Sequence, residues 1–160
     1  MAEKTNRARF SIVVLGAIAL AVLSVFSLLA WRSVTVEQAE PDLALSRFTA
    51  VRDLFGGTEP VLRVNSDGSV VRRSPPDNQP TKPTHLHALA YRNPEHRLVR
   101  ADVPLWFLKA KGPAIQYFLR GTGLDLKRLG VTASDLQRYG PCLVLDETRT
   151  NGDRLLVWTE

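Results

Sequence analysis

The stretch CLVLDETRTNGDRLLVWT, residues 142–159, carries the clearest fold signal in the chain. Two largely apolar segments, 142–147 and 154–159, flank a turn that contains Asn151-Gly152. Asn-Gly suits the tight turn between two antiparallel strands, because both of its residues tolerate positive φ angles. The sequence therefore predicts that the domain ends in a β-hairpin.

Two more hairpins are predicted upstream. Strands over 85–91 (HLHALAY) and 97–103 (RLVRADV) are joined by Asn-Pro-Glu-His at 93–96, a turn-forming sequence. Residues 61–73, VLRVNSDGSVVRR, place Asn-Ser-Asp-Gly between two short β-rich runs. Antiparallel pairing is therefore expected to dominate the sheet.

Short helices are predicted between the last two hairpins. Pro104 suits the first position of a helix over 105–108. Thr132 and Asp135 resemble a capping box that opens a further helix. Another short helix between them is marked by apolar residues: Ile115, Phe118 and Leu119. Strands, helices and strands again, without regular βαβ alternation, predict an α+β domain with a mainly antiparallel sheet.

A longer amphipathic helix is predicted ahead of the first hairpin. From Asp42 onwards, apolar residues recur at helical spacing until Gly56-Gly57 ends the pattern. These residues are Leu45, Phe48, Val51, Leu54 and Phe55. The sequence thus predicts one helix before the strands and several short ones between them.

Four segments succeed one another in the second half of the chain: RLVRADVPLWFL (97–108), GTGLDLKRLG (121–130), GPCLVLDE (140–147) and GDRLLVWTE (152–160). Their succession resembles a small α+β module of uncharacterised bacterial proteins, in which a strand runs into a Val/Ile-Pro-Leu helix. The resemblance covers 97–160 and implies the fold, but no activity, catalytic residue or ligand. This chain departs from the module where Gly112-Pro113 interrupts its two short helices.

An uncharged apolar run, FSIVVLGAIALAVLSVFSLLAW, lies between Arg9 and Arg32. Its 22 residues would rise about 33 Å as a helix, enough to cross a hydrocarbon core of about 30 Å. The run predicts an uncleaved, membrane-spanning signal anchor over 10–31. The alternative, a cleaved signal peptide, needs a shorter apolar region and a small-x-small cleavage site, and neither is present.

The anchor sets the predicted domain organisation. Three basic residues precede the run and only Arg32 closely follows it, so the amino terminus is expected in the cytoplasm and the rest in the periplasm or outside the cell. The location is thus the inner (plasma) membrane. The predicted parts are a cytoplasmic terminus (1–9), the transmembrane anchor (10–31), a stalk (32–41) and an extracytoplasmic domain (42–160) with a Pro-rich loop at 74–84.

Charge and cysteine content exclude some classes of protein. The formal net charge is +5, but 1–32 hold four basic residues and one acidic residue, so 17 Lys and Arg face 15 Asp and Glu in the remainder. That balance does not give the basic stripe of a nucleic-acid-binding protein. A single cysteine allows no intrachain disulfide. The absence of Asn-x-Ser/Thr sequons and the excess of Arg over Lys indicate a bacterial chain.

Three histidines are the candidate metal ligands. His85 and His87 are two apart in a predicted strand, so their side chains share a face, and His96 lies in the following turn. Imidazoles bind metals, yet no acidic or thiol ligand lies near them in the sequence. Solvent-facing histidines are therefore preferred over a metal site, and no metal or other cofactor is predicted.

Catalytic motifs are missing from the sequence. Cys142 begins an apolar strand, as a small buried residue would, and no cysteine-hydrolase signature surrounds it. There is no Walker A, Gly-x-Ser-x-Gly or HExxH motif. The chain is therefore predicted not to be an enzyme.

A basic surface is the candidate interaction site. Five basic residues between 109 and 128 face one acid, Asp125, beside apolar stretches. The simpler interpretation is a solvated face over a packed core. The more specific one is that this face contacts anionic lipid or a partner. The residues of this partner face are Trp106, Lys109, Lys111, Tyr117, Arg120, Lys127 and Arg128.

These features together predict a single-pass, membrane-anchored binding or assembly component of a membrane complex, without enzymatic activity. Its expected partners are the lipid bilayer and a membrane protein, and not nucleic acid. The alternative is a membrane-anchored hydrolase or metal-binding protein that uses His85, His87, His96 or Cys142. Substitution of these four residues would separate the two hypotheses.

Overall fold

The computed structural model describes residues 33–65, 67–76, 81–109, 119 and 121–160, together with positions 14, 16, 17, 20, 21 and 24. The chain divides into two compact units, 1–32 and 33–160. All of the strands described here belong to the second unit.

The prediction of a membrane-spanning helix is corrected by the helices that the structure describes. None of them is long and apolar enough to cross a membrane. The longest, with 14 residues, rises only about 21 Å, short of a hydrocarbon core of about 30 Å. The predicted segment 10–31 lies largely outside the described residues. The single-pass anchor, the inner-membrane location and the membrane-anchored functions that depended on it are therefore not supported.

The second unit is a sheet-rich α+β domain built on seven strands. Their order across the sheet is β1-β5-β4-β7-β6-β2-β3. The strands are β1 (Val34–Gln38), β2 (Leu62–Val64), β3 (Val70–Arg72), β4 (His85–Arg92), β5 (Arg97–Pro104), β6 (Cys142–Thr148) and β7 (Arg154–Thr159). The three hairpins predicted from turn residues are confirmed as β2–β3, β4–β5 and β6–β7.

The sheet is mainly antiparallel, as predicted, but it is mixed because one pairing is parallel. Its long pairings are antiparallel, but β2 runs parallel to β6 with Leu62 beside Leu145. The Val61 N–H also donates to the Leu143 carbonyl, 2.9 Å away, and this bond attaches the β2–β3 hairpin to the edge of β6. Hairpin signals specify only strands adjacent in sequence, so they could not predict this crossover pairing.

The described part of the second unit has three α-helices and one short 3₁₀ helix at Asn93–Glu95. The α-helices are α1 (Pro41–Leu54), α2 (Leu105–Lys109) and α3 (Ala133–Tyr139). Helix α1 confirms the predicted amphipathic helix to within one residue at each end. Thr132 and Asp135 form the predicted capping box of α3. Pro104 ends β5 instead of opening α2, and residues 34–38, predicted as part of a stalk, form the edge strand β1.

Both faces of the central strands are buried. Ala44 and Phe48 of α1 pack against residues of four strands: Leu89, Tyr91, Leu98, Leu143, Leu156 and Trp158. Alternate strand residues point to opposite faces, so Leu86, Ala88 and Ala90 face away from α1, and they are also buried. Helix α2 contacts both β5 and α3, and the Asp135 side chain of α3 lies 3.9 Å from Arg72 on that second face. The sheet therefore lies between two helical layers.

Candidate functional site

An arginine-lined cavity lies between the end of β3 and helix α3. Its volume is about 220 Å³, well above the roughly 10–15 Å³ that a site needs to hold one water molecule. The lining residues come from two segments and are Arg72, Arg73, Ser74, Pro75, Asp135, Arg138 and Tyr139. We call this cavity the arginine pocket.

One wall of the arginine pocket is set by the pairing of β3 with β2. Arg72 lies opposite Leu62 in the antiparallel ladder, so its side chain extends from the same face of the sheet as that buried leucine. There Arg72 donates a hydrogen bond to the Gly130 carbonyl, and its Nη1 lies 3.9 Å from Asp135 Oδ2. The backbone N–H of Arg73 donates to the Val61 carbonyl, 2.9 Å away, which fixes the strand end.

The opposite wall is one face of α3. Asp135, Arg138 and Tyr139 are spaced i, i+3 and i+4, and such residues are neighbours on a helix surface. The capping box fixes the start of this short helix: the Thr132 hydroxyl accepts from the Asp135 N–H at 3.1 Å, and Asp135 Oδ2 accepts from the Thr132 N–H at 2.9 Å. The helix thereby presents its polar face to the strand end.

Tyr139 joins the two walls. Its hydroxyl donates a 2.5 Å hydrogen bond to the Arg73 carbonyl, while the residue itself is only 5% exposed. Burial raises the pKa of the Tyr139 hydroxyl, so the group stays neutral at physiological pH. It therefore contributes no charge to the pocket.

Positive charge exceeds negative charge in the arginine pocket. Three arginines, Arg72, Arg73 and Arg138, and a single carboxylate, that of Asp135, are among the lining residues. Hydrogen bonds from Thr132 lower the pKa of Asp135, and the nearby arginines add to this effect, so the carboxylate stays ionised at neutral pH. The formal charge of the lining is thus +2. Among the described residues, neither Arg73 nor Arg138 has an ion pair with a carboxylate.

The predicted histidine site is only partly assembled. His85 and His87 share a face of β4 as expected, with ring centroids 6.0 Å apart. His96 lies in the turn beyond the other end of β4, where its Nδ1 is 3.6 Å from Glu40 Oε2. Within the described residues, no group of three or more His, Cys, Asp or Glu side chains is arranged to hold a metal ion.

His87 is buried, contrary to the solvent-facing position expected for it. It is 8% exposed and stacks on Trp158, with ring centroids 5.1 Å apart. Its Nδ1 lies 3.6 Å from Asp102 Oδ1 and its Nε2 lies 3.7 Å from Glu160 Oε2, both beyond hydrogen-bond distance. Burial lowers the pKa of the imidazole, and the two carboxylates only partly offset this effect. His87 is therefore neutral at pH 7.

Cys142 is a buried structural residue. Its Sγ lies 3.5 Å from the hydroxyl of Thr159, and the side chains are enclosed between β6 and β7. Burial raises the pKa of the thiol, whereas a nucleophilic cysteine needs a lowered pKa. The structure gives this residue no feature of a reactive cysteine.

The predicted partner face is described only in part. Trp106 is 58% exposed on α2 and contacts Phe107 edge to face at 5.9 Å. Lys109, Lys127 and Arg128 are also exposed. Lys111, Tyr117 and Arg120 lie outside the described residues. The roles of this face in binding lipid or a partner stay predictions.

Sequence reasoning missed the arginine pocket. The pair Arg72-Arg73 and the residue Arg138 are 65 positions apart, and neither stretch matches a binding motif. The only local signal was the basic end of a predicted hairpin. The approach of α3 to that strand end depends on tertiary packing, which no periodicity encodes.

No protein-family model matches the chain, and no similar protein was found among curated proteins or solved structures. The resemblance of 97–160 to an uncharacterised bacterial module stays a prediction.

Proposed function

We propose that this domain is a non-enzymatic binding domain and that its arginine pocket takes a dianionic, phosphate-type group. The observation that carries the proposal is a cavity of about 220 Å³ lined by three arginines and one carboxylate. Guanidinium groups present several N–H donors in a planar fork that matches phosphate and carboxylate oxygens.

The charge of the pocket favours a dianion. A formal lining charge of +2 is complementary to a phosphate group, which carries about −1.5 to −2 at neutral pH. The Arg73 and Arg138 side chains have no described carboxylate partner, so a ligand need not break an existing ion pair to reach them. Arg72 has its guanidinium held by the Gly130 carbonyl, which positions it before a ligand arrives.

The chemistry of the pocket supports binding in preference to catalysis. Asp135 has a lowered pKa and Tyr139 a raised one, so neither is poised to transfer a proton near pH 7. The nearest thiol, Cys142, also has a raised pKa. A group that enters this pocket meets hydrogen-bond donors but no activated nucleophile.

Isothermal titration of the full chain with sodium phosphate in chloride buffer tests the proposal. We expect one saturable site whose affinity falls with added salt, because the arginine charges are exposed. Arg138→Ala should weaken phosphate binding about tenfold or more, since a hydrogen bond to a charged group contributes about 1.5–3 kcal/mol.

Arg63→Ala is the matched control. Arg63 lies on β2, pairs with Glu59 at 3.2 Å and is not part of the pocket lining. Its loss removes the same charge from the chain but should leave the phosphate affinity within about twofold, because Arg63 does not line the pocket and its exposed charge is screened by salt. Equal weakening in both variants, or the absence of saturable binding in the wild type, would refute the proposal.

A further inference from the structure

The outer edge of β3 lies beside the arginine pocket. β3 is the last strand of the sheet, and among the described residues no strand pairs with its outer side. The strand ends at Arg72, which lines the pocket, and Arg73 follows directly. An open edge and an arginine-lined cavity therefore meet at one place.

The ladder register shows which backbone groups of β3 point outward. Arg73 donates to Val61, and Asn65 donates to Ser69, so the pairs at these positions are hydrogen-bonded. Hydrogen-bonded and non-hydrogen-bonded pairs alternate in an antiparallel ladder. Val70 and Arg72 thus belong to non-hydrogen-bonded pairs, and their N–H and C=O groups point away from β2.

The side chains along this edge alternate between two environments. Val71 is 55% exposed on one face, and Arg72 points to the other face, toward α3. A strand added to this edge would follow the same alternation. Its residue opposite Arg72 would point toward the arginine pocket, and the next residue would lie beside exposed Val71.

We propose that the ligand of the arginine pocket is a phosphorylated side chain in an extended peptide, which adds as an antiparallel strand to the edge of β3. This inference rests on the proposed function, because it needs the pocket to bind phosphate. The phosphoresidue would exchange both backbone hydrogen bonds with Arg72. An apolar residue after it would cover Val71.

The two parts of this recognition have different roles. Backbone bonds to a sheet edge supply affinity for any extended chain, and side-chain pockets supply specificity. A phosphomonoester of charge about −1.5 to −2 matches the +2 lining, whereas glutamate would leave an excess positive charge. The site should therefore discriminate between a phosphopeptide and its acidic analogue.

Fluorescence anisotropy with a labelled peptide Thr-Val-pSer-Val-Thr and the full chain tests the inference. We expect saturable binding, at least tenfold weaker binding of the Glu analogue, and displacement of the phosphopeptide by inorganic phosphate. Methylation of the phosphoserine amide nitrogen should weaken binding roughly tenfold, since it removes a backbone hydrogen bond. Methylation of the following valine nitrogen is the control and should change affinity less than threefold, because that N–H points away from β3.

Val70→Pro separates this inference from the proposed function. Proline at this position removes an outward-facing N–H and leaves the hydrogen bonds of β3 to β2 intact. We expect the variant to bind inorganic phosphate as the wild type does and to lose the phosphopeptide. If both nitrogen-methylated peptides bind as well as the parent, strand addition is wrong while the phosphate pocket stands. If phosphate itself does not bind, both proposals are wrong.

Discussion

Arg92 at the β6–β7 turn and the arginines of the arginine pocket use their charge differently. At the β6–β7 turn, Arg92 Nη1 donates to Asp153 Oδ2 at 3.0 Å, and the Asp153 side chain is only 8% exposed. The same carboxylate accepts from the Asn93 N–H and from the Asn151 side chain. In the arginine pocket, Arg73 and Arg138 are exposed and have no described carboxylate partner.

This difference in pairing indicates which charges stabilise the fold and which are available to bind a ligand. Asp153 is nearly enclosed, and hydrogen bonds from Arg92 and Asn93 lower its pKa even though burial acts to raise it. A charge paired in this way stabilises the turn. Arg73 and Arg138 make no such pair among the described residues, so their removal should affect binding and leave folding almost unchanged.

The largest effect is expected for Asp153→Ala. The substitution leaves the half-buried Arg92 guanidinium and the Asn93 N–H without their acceptor. We expect the free energy of unfolding to fall by about 3 kcal/mol, as for other partly buried ion pairs that lose one partner. Urea denaturation followed by circular dichroism measures this loss.

Glu59→Ala is the control for that measurement. Glu59 and Arg63 form an exposed pair with side chains 74% and 67% exposed. Such pairs contribute about 0–1 kcal/mol, so the unfolding midpoint should hardly move. A loss for Asp153→Ala no larger than for this control would contradict the structural role given to the turn.

A smaller loss of stability is expected when the ion pair between α1 and β6 is removed. Arg52 Nε and Nη2 donate to the two oxygens of Asp146, each at 2.6 Å, with both side chains partly exposed. Arg52→Ala should reduce stability by about 1–2 kcal/mol, between the values for exposed and buried pairs. Combining it with Asp146→Ala should add little, and a fully additive double variant would show that the pair does not interact.

His87 is intermediate between the paired and unpaired arginines, because two carboxylates lie near its ring but beyond hydrogen-bond distance. Its folded-state pKa is lowered by burial from the ordinary value of 6.5; Asp102 and Glu160 act against this, and Arg100 and His85 act with it. The unfolded chain therefore takes up the proton first, and stability should fall as the pH drops below about 6.5. The slope cannot exceed about 1.4 kcal/mol per pH unit for one proton.

Urea denaturation at pH 7.5, 6.5 and 5.5 measures this slope. His87→Gln should remove the His87 contribution and give a flatter profile over the same range. Parallel profiles for the two proteins would mean that His87 titrates alike in the folded and unfolded states.

The smallest effect on stability is expected for Arg138→Ala. Its side chain is exposed on α3 and has no described carboxylate partner. The unfolding free energy should stay within about 0.5 kcal/mol of the wild type while phosphate affinity falls. A loss of stability as large as that of Arg52→Ala would place this residue among the structural arginines and remove the contrast between Arg92 and the arginine pocket.

The sequence predicts the local elements of this fold better than their assembly. Asn151-Gly152 and the turn at 93–96 place hairpins whose strands the structure confirms to within about one residue. Thr132 and Asp135 likewise predict the start of α3. These signals act over a few residues, so they can be recognised without the rest of the chain.

Features that depend on contacts between residues distant in the sequence could not be predicted in the same way. The alternation in VTVEQ (34–38) is short and mostly exposed, so its pairing with β5 gives no hydrophobic signal. The burial of His87 depends on Trp158, 71 positions later. The arginine pocket likewise requires β3 and α3 to meet.

Anomalous diffraction from crystals of the full chain soaked in tungstate, a heavy analogue of phosphate, tests the central claim most directly. We predict a tungsten peak inside the cavity, within hydrogen-bond distance of Arg73 and Arg138, and its loss in Arg138→Ala crystals. Tungsten bound only at other basic residues, such as Lys127 and Arg128, with an empty arginine pocket would contradict the account.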